Sequence, residues 1–193
     1  MTLEEIKSRI EKAVPGAPLR IVRDSLLVEN PLDLPKVASF LKDSDLKMDY
    51  LSSVTGADYL QYLELVYHLY SMENKTGPVV LRVRADRKDP RIPSLVSLWR
   101  GAEFQEREAF DMYGIIFENH PDLRRIFMWE GFEGFPMRKD YQQEDSETLE
   151  AADVEWLERR GVKVPEEMRK KAEALKRQGK RALAQKPGDS EPT

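Results

Sequence analysis

The chain has 193 residues, of which 40% are hydrophobic and 34% charged, which suits a soluble protein with one domain and a tail. Its 31 basic and 35 acidic residues give a net charge of -4, which argues against a general nucleic-acid-binding protein. The absence of cysteine excludes disulfides, thiol catalysis and cysteine-ligated iron–sulfur clusters. Without a recognisable signal peptide or an apolar run near the ~20 residues that cross a bilayer, we expect a cytoplasmic protein that meets a membrane only as a peripheral partner.

The first part of the chain predicts two short helices with a hairpin between them. Thr2 and Glu5 have the spacing of a capping box and predict a helix that they open. Two β-prone runs, 19–22 and 26–28, predict the hairpin. Asp33 follows at a position where it can cap a second helix. The apolar face of that helix would be formed by Leu34, Val37, Ala38 and Leu41.

Three stretches in the middle of the chain alternate with a period of two, which is typical of strands with one buried face; they are 47–55, 62–70 and 79–85. In the first, one face would hold Met48, Tyr50, Ser52 and Val54. In the other two, the corresponding faces would hold Leu63, Leu65, Tyr67 and Leu69, and Val79, Leu81, Val83 and Ala85. Short connections at 56–58 and 73–77 predict an antiparallel meander. Helices before and after would cover its buried face. The fold class is therefore predicted to be α+β, with a mainly antiparallel sheet and helices in two layers.

After the sheet the pattern becomes helical. Residues 92–99 predict one helix, and 103–113 predict another that ends at Gly114. Glu106 falls in the middle of the apolar face of the second helix, and it must have a partner because an unpaired buried carboxylate is costly. Two interpretations remain open. Arg107 forms i,i+4 ion pairs within the helix, or Glu106 or Arg107 pairs with a charge on a partner protein.

An aromatic stretch, 101–141, holds nine aromatic side chains with charges of both signs between them. Beyond Gly114 its prolines and glycines predict irregular chain. A long, apolar, irregular stretch is typical of a contact surface. Its two basic pairs, 124–125 and 138–139, suit an interface because arginine makes bidentate bonds and stacks on aromatic rings. The stretch therefore predicts a docking surface rather than a catalytic pocket.

The rest of the sequence offers few chemical motifs. Residues 146–193 form a charged tail, in which 165–183 predict an exposed helix with charge pairs and 187–193 predict disorder. The two histidines, His68 and His120, have no cysteine companions, so the spacing rules for zinc are not met. No phosphate-binding glycine loop and no nucleophile motif are present.

Two sequence blocks resemble a known family. The run EREAFDMYGI at 106–115, followed by HPDLRRI at 120–126, closely resembles the signature of the C subunit, or 30 kDa subunit, of NADH-quinone oxidoreductase (complex I). The run GFPMRKDY at 134–141 is similar to the second block of that family, except that Phe135 occupies a position where the family usually has histidine. The resemblance extends over roughly residues 1–145.

This resemblance implies a non-catalytic component of the hydrophilic arm, with no cofactor of its own, that supports electron transfer from NADH to quinone. FMN and iron–sulfur clusters would lie in partner subunits. An α+β domain at 1–114 would be followed by a docking segment at 115–145, which wraps around the neighbouring D subunit, and by the tail at 146–193. Further partners would be the quinone-site B subunit and the cluster-bearing subunits. The expected place is the cytoplasmic side of the bacterial inner membrane, attached through the complex.

The subunit interface is expected to include Glu106, Arg107, Asp111, Tyr113, His120, Arg124, Arg125, Arg138, Lys139, Asp140 and Tyr141. Other functions stay open from the sequence alone. The homologous component of a membrane-bound [NiFe] hydrogenase or a related energy-converting complex shares the same blocks. A free-standing interaction module would be a monomer despite its aromatic stretch. A small-molecule enzyme would need a polar pocket that these residues do not supply.

Overall fold

The computed structural model describes residues 2–129 and 131–141, together with positions 154–155, 158–159, 164, 166, 169–170 and 172–174 of the tail. The chain divides into two compact units, Met1–Tyr141 and Gln142–Thr193. Most of the docking segment predicted at 115–145 therefore belongs to the first unit. In the first unit the elements are α1 (Leu3–Ala13), β1 (Leu19–Val22), β2 (Ser25–Val28), a 3-10 turn (Pro31–Asp33), α2 (Leu34–Asp43), β3 (Tyr50–Asp58), β4 (Tyr62–Ser71), β5 (Thr76–Asp86), β6 (Arg91–Pro93), α3 (Ala102–Tyr113) and β7 (Ile116–Glu118).

The two N-terminal helices and the hairpin between them are confirmed, but the cap predicted for the second helix is not. The Oγ1 atom of Thr2 accepts the backbone N–H of Glu5 at 3.3 Å, and the Glu5 carboxylate accepts the N–H of Thr2 at 2.9 Å, which completes the capping box of α1. β1 and β2 form the predicted hairpin. Helix α2 follows Asp33, but the cap predicted from Asp33 is wrong: its carboxylate makes no capping hydrogen bond and instead accepts Nδ2 of Asn30 at 3.1 Å and Nζ of Lys36 at 3.2 Å. The four apolar side chains predicted for the inner face of α2 are fully buried.

A five-stranded sheet in the order β1-β2-β5-β4-β3 forms the centre of the unit. β3, β4 and β5 make the predicted antiparallel meander, and β1 and β2 are also antiparallel. The hairpin joins the meander through a parallel pairing of β2 with β5, which places Leu26 opposite Leu81. The sheet is therefore mixed but mainly antiparallel, and the α+β fold class is confirmed.

One apolar core lies between the helices and one face of the sheet. The inward side chains of β4 are all fully buried and are Leu63, Leu65, Tyr67 and Leu69. Those of β5 follow the predicted alternation and are Val79, Leu81, Val83 and Ala85. Ile10 of α1, Leu41 of α2 and Ala109 of α3 belong to the same core. The period-two pattern thus indicated correctly which face of each of these two strands the helices cover.

The first strand of the meander differs from its prediction. It runs over Tyr50–Asp58 instead of 47–55, and a β-bulge interrupts its register between Leu51 and Ser53. The extra residue of a bulge reverses the alternation. Leu51 and Val54 are therefore both buried, whereas Tyr50, predicted to share the face of Val54, is exposed.

The helix predicted over 92–99 is wrong. β6 occupies its start and pairs in parallel with β7. The N–H of Ser94 donates to the carbonyl of Glu118 at 2.9 Å, and the N–H of Leu95 donates to the Glu106 carboxylate at 2.8 Å. Because these backbone groups bond to distant parts of the chain, the residues that follow form turns instead of a regular helix.

Helix α3 is confirmed, and it ends at Gly114, whose φ of 71° is left-handed. The helix lies beside β3, where the side chain of Gln105 accepts the N–H of Val54 at 2.5 Å. This bond covers a free backbone group of the edge strand. No helix in the part of the chain that the structure describes is long and apolar enough to cross a membrane.

The second unit is described at separate positions. Three side chains form a small buried apolar cluster, namely Val154, Val164 and Ala172. Glu155 with Arg159 and Glu166 with Lys170 form i,i+4 ion pairs at 3.6 and 3.2 Å. The second pair lies in the stretch 165–183, where the sequence predicted a helix with charge pairs. The predicted disorder at 187–193 lies outside the described residues.

Candidate functional site

We call residues 119–141, beyond β7, the C-terminal segment; its described residues, all but position 130, have no regular secondary structure. An irregular chain has no ladder of its own, so its backbone N–H and C=O groups need other partners. Side chains of α3 and of the end of β3 supply many of them, which attaches the segment to the α+β domain at several points.

The first attachment is made by His120. Its Nδ1 atom accepts the backbone N–H of Asp122 at 3.0 Å, so the ring proton of the neutral imidazole lies on Nε2. Nε2 then donates to the carbonyl of Glu103 on α3 at 3.1 Å. The same Nε2 lies 4.0 Å from a carboxylate oxygen of Glu106, and both side chains are closed to solvent.

Glu106 has its partners within its own chain. Its carboxylate accepts the hydroxyl of Ser94 at 2.6 Å and the N–H of Leu95 at 2.8 Å. Burial raises the pKa of the Glu106 carboxyl to about 7, while these two hydrogen bonds act in the opposite direction. The partner that the sequence required is therefore a pair of neutral donors next to β6, not an ion pair.

Arg107 acts on the backbone of the segment. Its Nε donates to the carbonyl of Arg124 at 3.0 Å, and its Nη2 donates to the carbonyl of Arg125 at 3.4 Å. The guanidinium carbon lies 5.5 Å from the ring centre of Phe104. The i,i+4 ion pairs predicted for Arg107 with Glu103 and Asp111 are not formed among the described residues. Arg107 instead holds the turn at the start of the aromatic part of the segment.

Asp111 makes the densest attachment. One carboxylate oxygen, Oδ2, accepts three consecutive backbone N–H groups at 3.0, 2.7 and 2.9 Å, from Ile126, Phe127 and Met128. The other, Oδ1, accepts Nη1 of Arg125 at 2.8 Å. Burial raises the pKa of the Asp111 carboxyl, but the bonds from the three amides and Arg125 outweigh burial and hold the pKa below its usual range.

Aromatic rings and a glycine pack the middle of the segment against the end of α3. Nη2 of Arg125 donates to the carbonyl of Gly134 at 3.0 Å, and its guanidinium lies 5.2 Å from the ring centre of Phe135. The Phe135 ring covers Gly114 so closely that a Cβ atom there would lie 2.4 Å from the ring. Gly114 therefore provides both the left-handed turn and the space for the ring.

The last attachment joins the segment to the end of β3. A carboxylate oxygen of Asp58 accepts the N–H of Lys139 at 2.8 Å, and Arg87 forms ion pairs with Asp58 and, at 2.7 Å, with Asp140. Burial raises the pKa of Asp58, but its hydrogen bonds and Arg87 lower it to about 2. Asp58 and Arg87 were not predicted as part of this site, because no motif or spacing in the sequence separates them from ordinary surface charges.

Three large apolar side chains of the C-terminal segment remain exposed to water. We call them the exposed apolar set; with their exposed fractions they are Phe127 (60%), Trp129 (68%) and Met137 (55%). The Trp129 ring meets Phe132 edge-on, with ring centres 4.8 Å apart. Large apolar side chains exposed close together in sequence are typical of an interaction surface.

The eleven residues predicted for the subunit interface all lie on α3 or in the C-terminal segment. Three are buried, namely Glu106, Arg107 and Asp111. As whole residues, five are half-buried, namely Tyr113, His120, Arg125, Arg138 and Tyr141, although the side chain of His120 is closed to solvent. Three are exposed, namely Arg124, Lys139 and Asp140. The structure thus brings all eleven into one region, while their contact with a partner stays a prediction. No group of three or more possible metal ligands occurs among the described residues.

A sequence profile described as "Respiratory-chain NADH dehydrogenase, 30 Kd subunit" matches residues 27–147, well over half of the chain. The chain belongs to this family. The resemblance inferred from the two sequence blocks is thereby confirmed. The blocks of this 30 Kd subunit family meet in space, since the N–H of Met137 donates to the carbonyl of Met112 at 3.1 Å and Nε of Arg138 donates to that of Tyr113 at 2.7 Å.

Relatives of this family member carry consistent names. The C 2 subunit of the NADH-quinone oxidoreductase of Rhizobium meliloti (strain 1021) is 49% identical over 115 residues, which are 58% of this chain and 62% of the relative. The C/D subunit of the NADH-quinone oxidoreductase of Phocaeicola vulgatus is 44% identical over 97 residues, 50% of this chain but 19% of that much longer relative. The chain thus spans less than two thirds of the length of either relative.

A solved structure has a similar fold. It is a chain of the membrane-bound sulfane sulfur reductase, an archaeal respiratory membrane complex. The two superpose with a TM-score of 0.59 at 25% sequence identity, over 72% of this member of the 30 Kd subunit family and 85% of that chain.

Proposed function

We propose that this chain is a non-catalytic structural component of the hydrophilic arm of a proton-pumping NADH-quinone oxidoreductase. It docks onto the D subunit and thereby supports electron transfer from NADH to quinone. The observation that carries the proposal is the construction of the C-terminal segment. Charged side chains of the same chain bind its backbone, and yet the exposed apolar set is left in water.

The composition of this surface suits a protein interface. Aromatic side chains, methionine and arginine are enriched at interfaces, with charged groups at the rim. Phe127 and Trp129 lie near Arg124 in sequence, whose side chain is largely exposed and pairs with Asp122 at 2.8 Å. Lys139 and Asp140 supply exposed charges of both signs near Met137 in sequence. We propose that the exposed apolar set forms the centre of the contact and these charges its rim.

The titratable groups where α3 meets the C-terminal segment support a structural role. Glu106, His120 and Asp111 are closed to solvent at their side chains, and each bonds to other parts of the same chain. A catalytic acid or base must instead reach a substrate. We propose that FMN and the iron–sulfur clusters lie in partner subunits, among them the quinone-site B subunit. The chain would reach the cytoplasmic side of the inner membrane through the complex.

The D subunit is the proposed main partner because of a fused relative. The protein of Phocaeicola vulgatus carries the double name C/D on one chain, to which this chain is similar over 19% of the length. Fusion keeps two modules at high effective concentration, which is favourable where they bind each other. The fusion therefore supports a direct contact of this chain with a D subunit.

Affinity purification of the tagged full chain from gently solubilised membranes of its host tests the proposal. We expect co-purification of the D subunit together with flavin- and iron–sulfur-bearing subunits that oxidise NADH. The double variant Phe127→Ser/Trp129→Ser should recover at least about tenfold less of them, because central aromatic residues dominate interface energy. Met72→Ser is the matched control, since Met72 is 65% exposed and lies in the β4–β5 turn. Equal recovery with both variants would refute the docking surface.

A second candidate is the homologous component of a membrane-bound [NiFe] hydrogenase or a related energy-converting complex. The similarity of fold to a chain of the membrane-bound sulfane sulfur reductase favours it, because the name of that complex does not mention NADH. The same purification separates the two candidates. Recovery of nickel-site subunits without an NADH-oxidising module would support the second.

A further inference from the structure

The bonds to Asp111 are concentrated immediately beside two members of the exposed apolar set. The residues that bond to its carboxylate are 125–128, while Phe127 and Trp129 have 60% and 68% of their surface in water. Phe127 belongs to both groups, because its backbone N–H donates to Asp111 while its side chain is exposed to solvent. A buried charge thus fixes the backbone from which two exposed rings project.

An irregular backbone of this kind loses conformational entropy when it is ordered. A segment that becomes ordered only on binding loses this entropy at the moment of docking, which weakens its affinity. Here Arg107 holds the carbonyls at 124 and 125 while Asp111 holds the amides at 126–128, so donors and acceptors on successive residues are fixed before any partner is present.

We propose that Asp111 is a positioning residue for docking, which keeps residues 125–128 in the course that the D subunit binds. This inference rests on the proposed function, because it explains how the proposed docking surface is held in shape before the D subunit binds. Asp111 is fully buried and does not touch the partner itself. It acts through Phe127 and Trp129, whose rings are placed by the backbone that it holds.

The carboxylate is chemically suited to this task. Its two oxygens bind different groups: Oδ2 accepts hydrogen bonds from the three amides, and Oδ1 accepts one from Arg125. In Asp111→Asn one of these oxygens becomes an NH₂ group, which is a donor and faces either the amides or the guanidinium of Arg125. The variant therefore loses one half of the attachment at nearly the same side-chain volume.

The expected loss of affinity depends on the fraction of molecules whose segment has the conformation that the D subunit binds. The apparent dissociation constant equals the intrinsic one divided by the fraction of molecules in the competent state. If the released segment spends about one tenth to one hundredth of its time in that state, affinity falls by about 10- to 100-fold.

The test compares the full-length wild type with Asp111→Asn, Arg125→Gln and Trp129→Ala in two measurements. One is hydrogen–deuterium exchange of the amides at 126–128, and the other is the affinity for the purified D subunit of the same host. Asp111→Asn should raise the exchange rate at least about tenfold and weaken binding about 10- to 100-fold. Trp129→Ala should weaken binding and leave exchange unchanged.

Two results would overturn the inference. In one, Asp111→Asn exchanges faster and binds like the wild type; in the other, it binds weakly with unchanged exchange. If Asp111→Asn fails to fold, Arg125→Gln takes its place, because it removes only the bond to Oδ1 and keeps all three amide bonds. Arg125→Gln should also raise the exchange rate and weaken binding, but by less than is expected for Asp111→Asn. If Trp129→Ala binds like the wild type, docking itself fails; if Trp129→Ala weakens binding and Asp111→Asn does not, only the role of Asp111 fails.

Discussion

The central sheet and the C-terminal segment are both firmly attached parts of one unit, but different interactions hold them. In the sheet, backbone ladders are combined with fully buried apolar side chains such as Leu65 and Leu81. In the segment, charged side chains bind backbone groups directly, as Arg107 binds carbonyls and Asp111 binds amides. The same chain thus uses burial for its core and directional bonds for its surface.

This difference explains how the segment can leave large rings in water. Burial stabilises in proportion to the apolar area removed from water, so a strand held by it must turn its apolar side chains inward. Where Asp111 and Asp58 bind the backbone of the segment, the side chains of the bound residues need not turn inward. Phe127 and Trp129 are therefore free for another surface. Four substitutions test this comparison.

The largest effect is expected in the sheet. Leu81 on β5 is fully buried, and Leu81→Ala should lower the free energy of unfolding by about 2–5 kcal/mol, because it removes apolar contacts and leaves a cavity. Urea denaturation measures the change. Leu32→Ala serves as the control, since Leu32 is 65% exposed and its loss should stay within about 0.5 kcal/mol. Similar losses for both variants would contradict the assignment of the core.

Glu106, at the border of the two regions, should make stability depend on pH. Its pKa is about 7 in the folded protein against 4.5 as an ordinary value, so the folded state binds the proton more tightly than the unfolded state. The contribution is complete below pH 4.5 and is lost as pH rises to about 7, a decrease of about 3 kcal/mol.

Glu106→Gln should remove this dependence, because the amide stays neutral at every pH and keeps an acceptor for Ser94 or Leu95. Unfolding measured between pH 4.5 and 8 should give a flatter curve for the variant. Glu108→Gln is the matched control on the same helix, since Glu108 is exposed. A wild-type slope in Glu106→Gln would contradict the assignment of this pH dependence to Glu106.

Much of the sheet was predictable, because its stabilising interactions leave a periodic trace. Alternation identified β4 and β5 with their correct faces, and Gly114 gave the end of α3. The errors fall where a tertiary contact decides the local structure. The bulge at Leu51 reverses the pattern of β3, and Glu106 binds Leu95 where a helix was predicted.

The irregular course of the segment was predictable, but its attachments were not. The aromatic composition of the segment and the resemblance to the family indicated where the segment lies in the chain, and the position of Glu106 on an apolar helix face predicted a partner for its carboxylate. The partners themselves have no period in sequence. Asp58 meets Lys139 across 81 positions, and Asp111 binds backbone groups that carry no residue identity. Bonds from side chain to distant backbone cannot be deduced from spacing.

An intermediate effect is expected at Gly114, where α3 meets the segment. Gly114→Ala places a side chain at φ 71° and 2.4 Å from the Phe135 ring, so it should cost about 1–2 kcal/mol and loosen the segment. Gly16→Ala is the matched control, because its φ is 93° but no atom lies within 4 Å of the new Cβ. Limited proteolysis within 119–141 should be faster in Gly114→Ala alone. Equal behaviour of the two variants would mean that Phe135 does not restrain the segment.

The smallest effect on stability is expected at Trp129. This variant gives the strongest contrast with the sheet, where removal of a large apolar side chain is costly. Trp129 is 68% exposed, so Trp129→Ser should change the free energy of unfolding by no more than about 0.5 kcal/mol, as should Met72→Ser. Thermal and urea unfolding measure both variants. A loss as large as that of Gly114→Ala would show that the edge contact of Trp129 with Phe132 helps to hold the segment. A side chain that contributes to association but not to folding is expected only where the backbone is held by something else, and here Asp111 holds it.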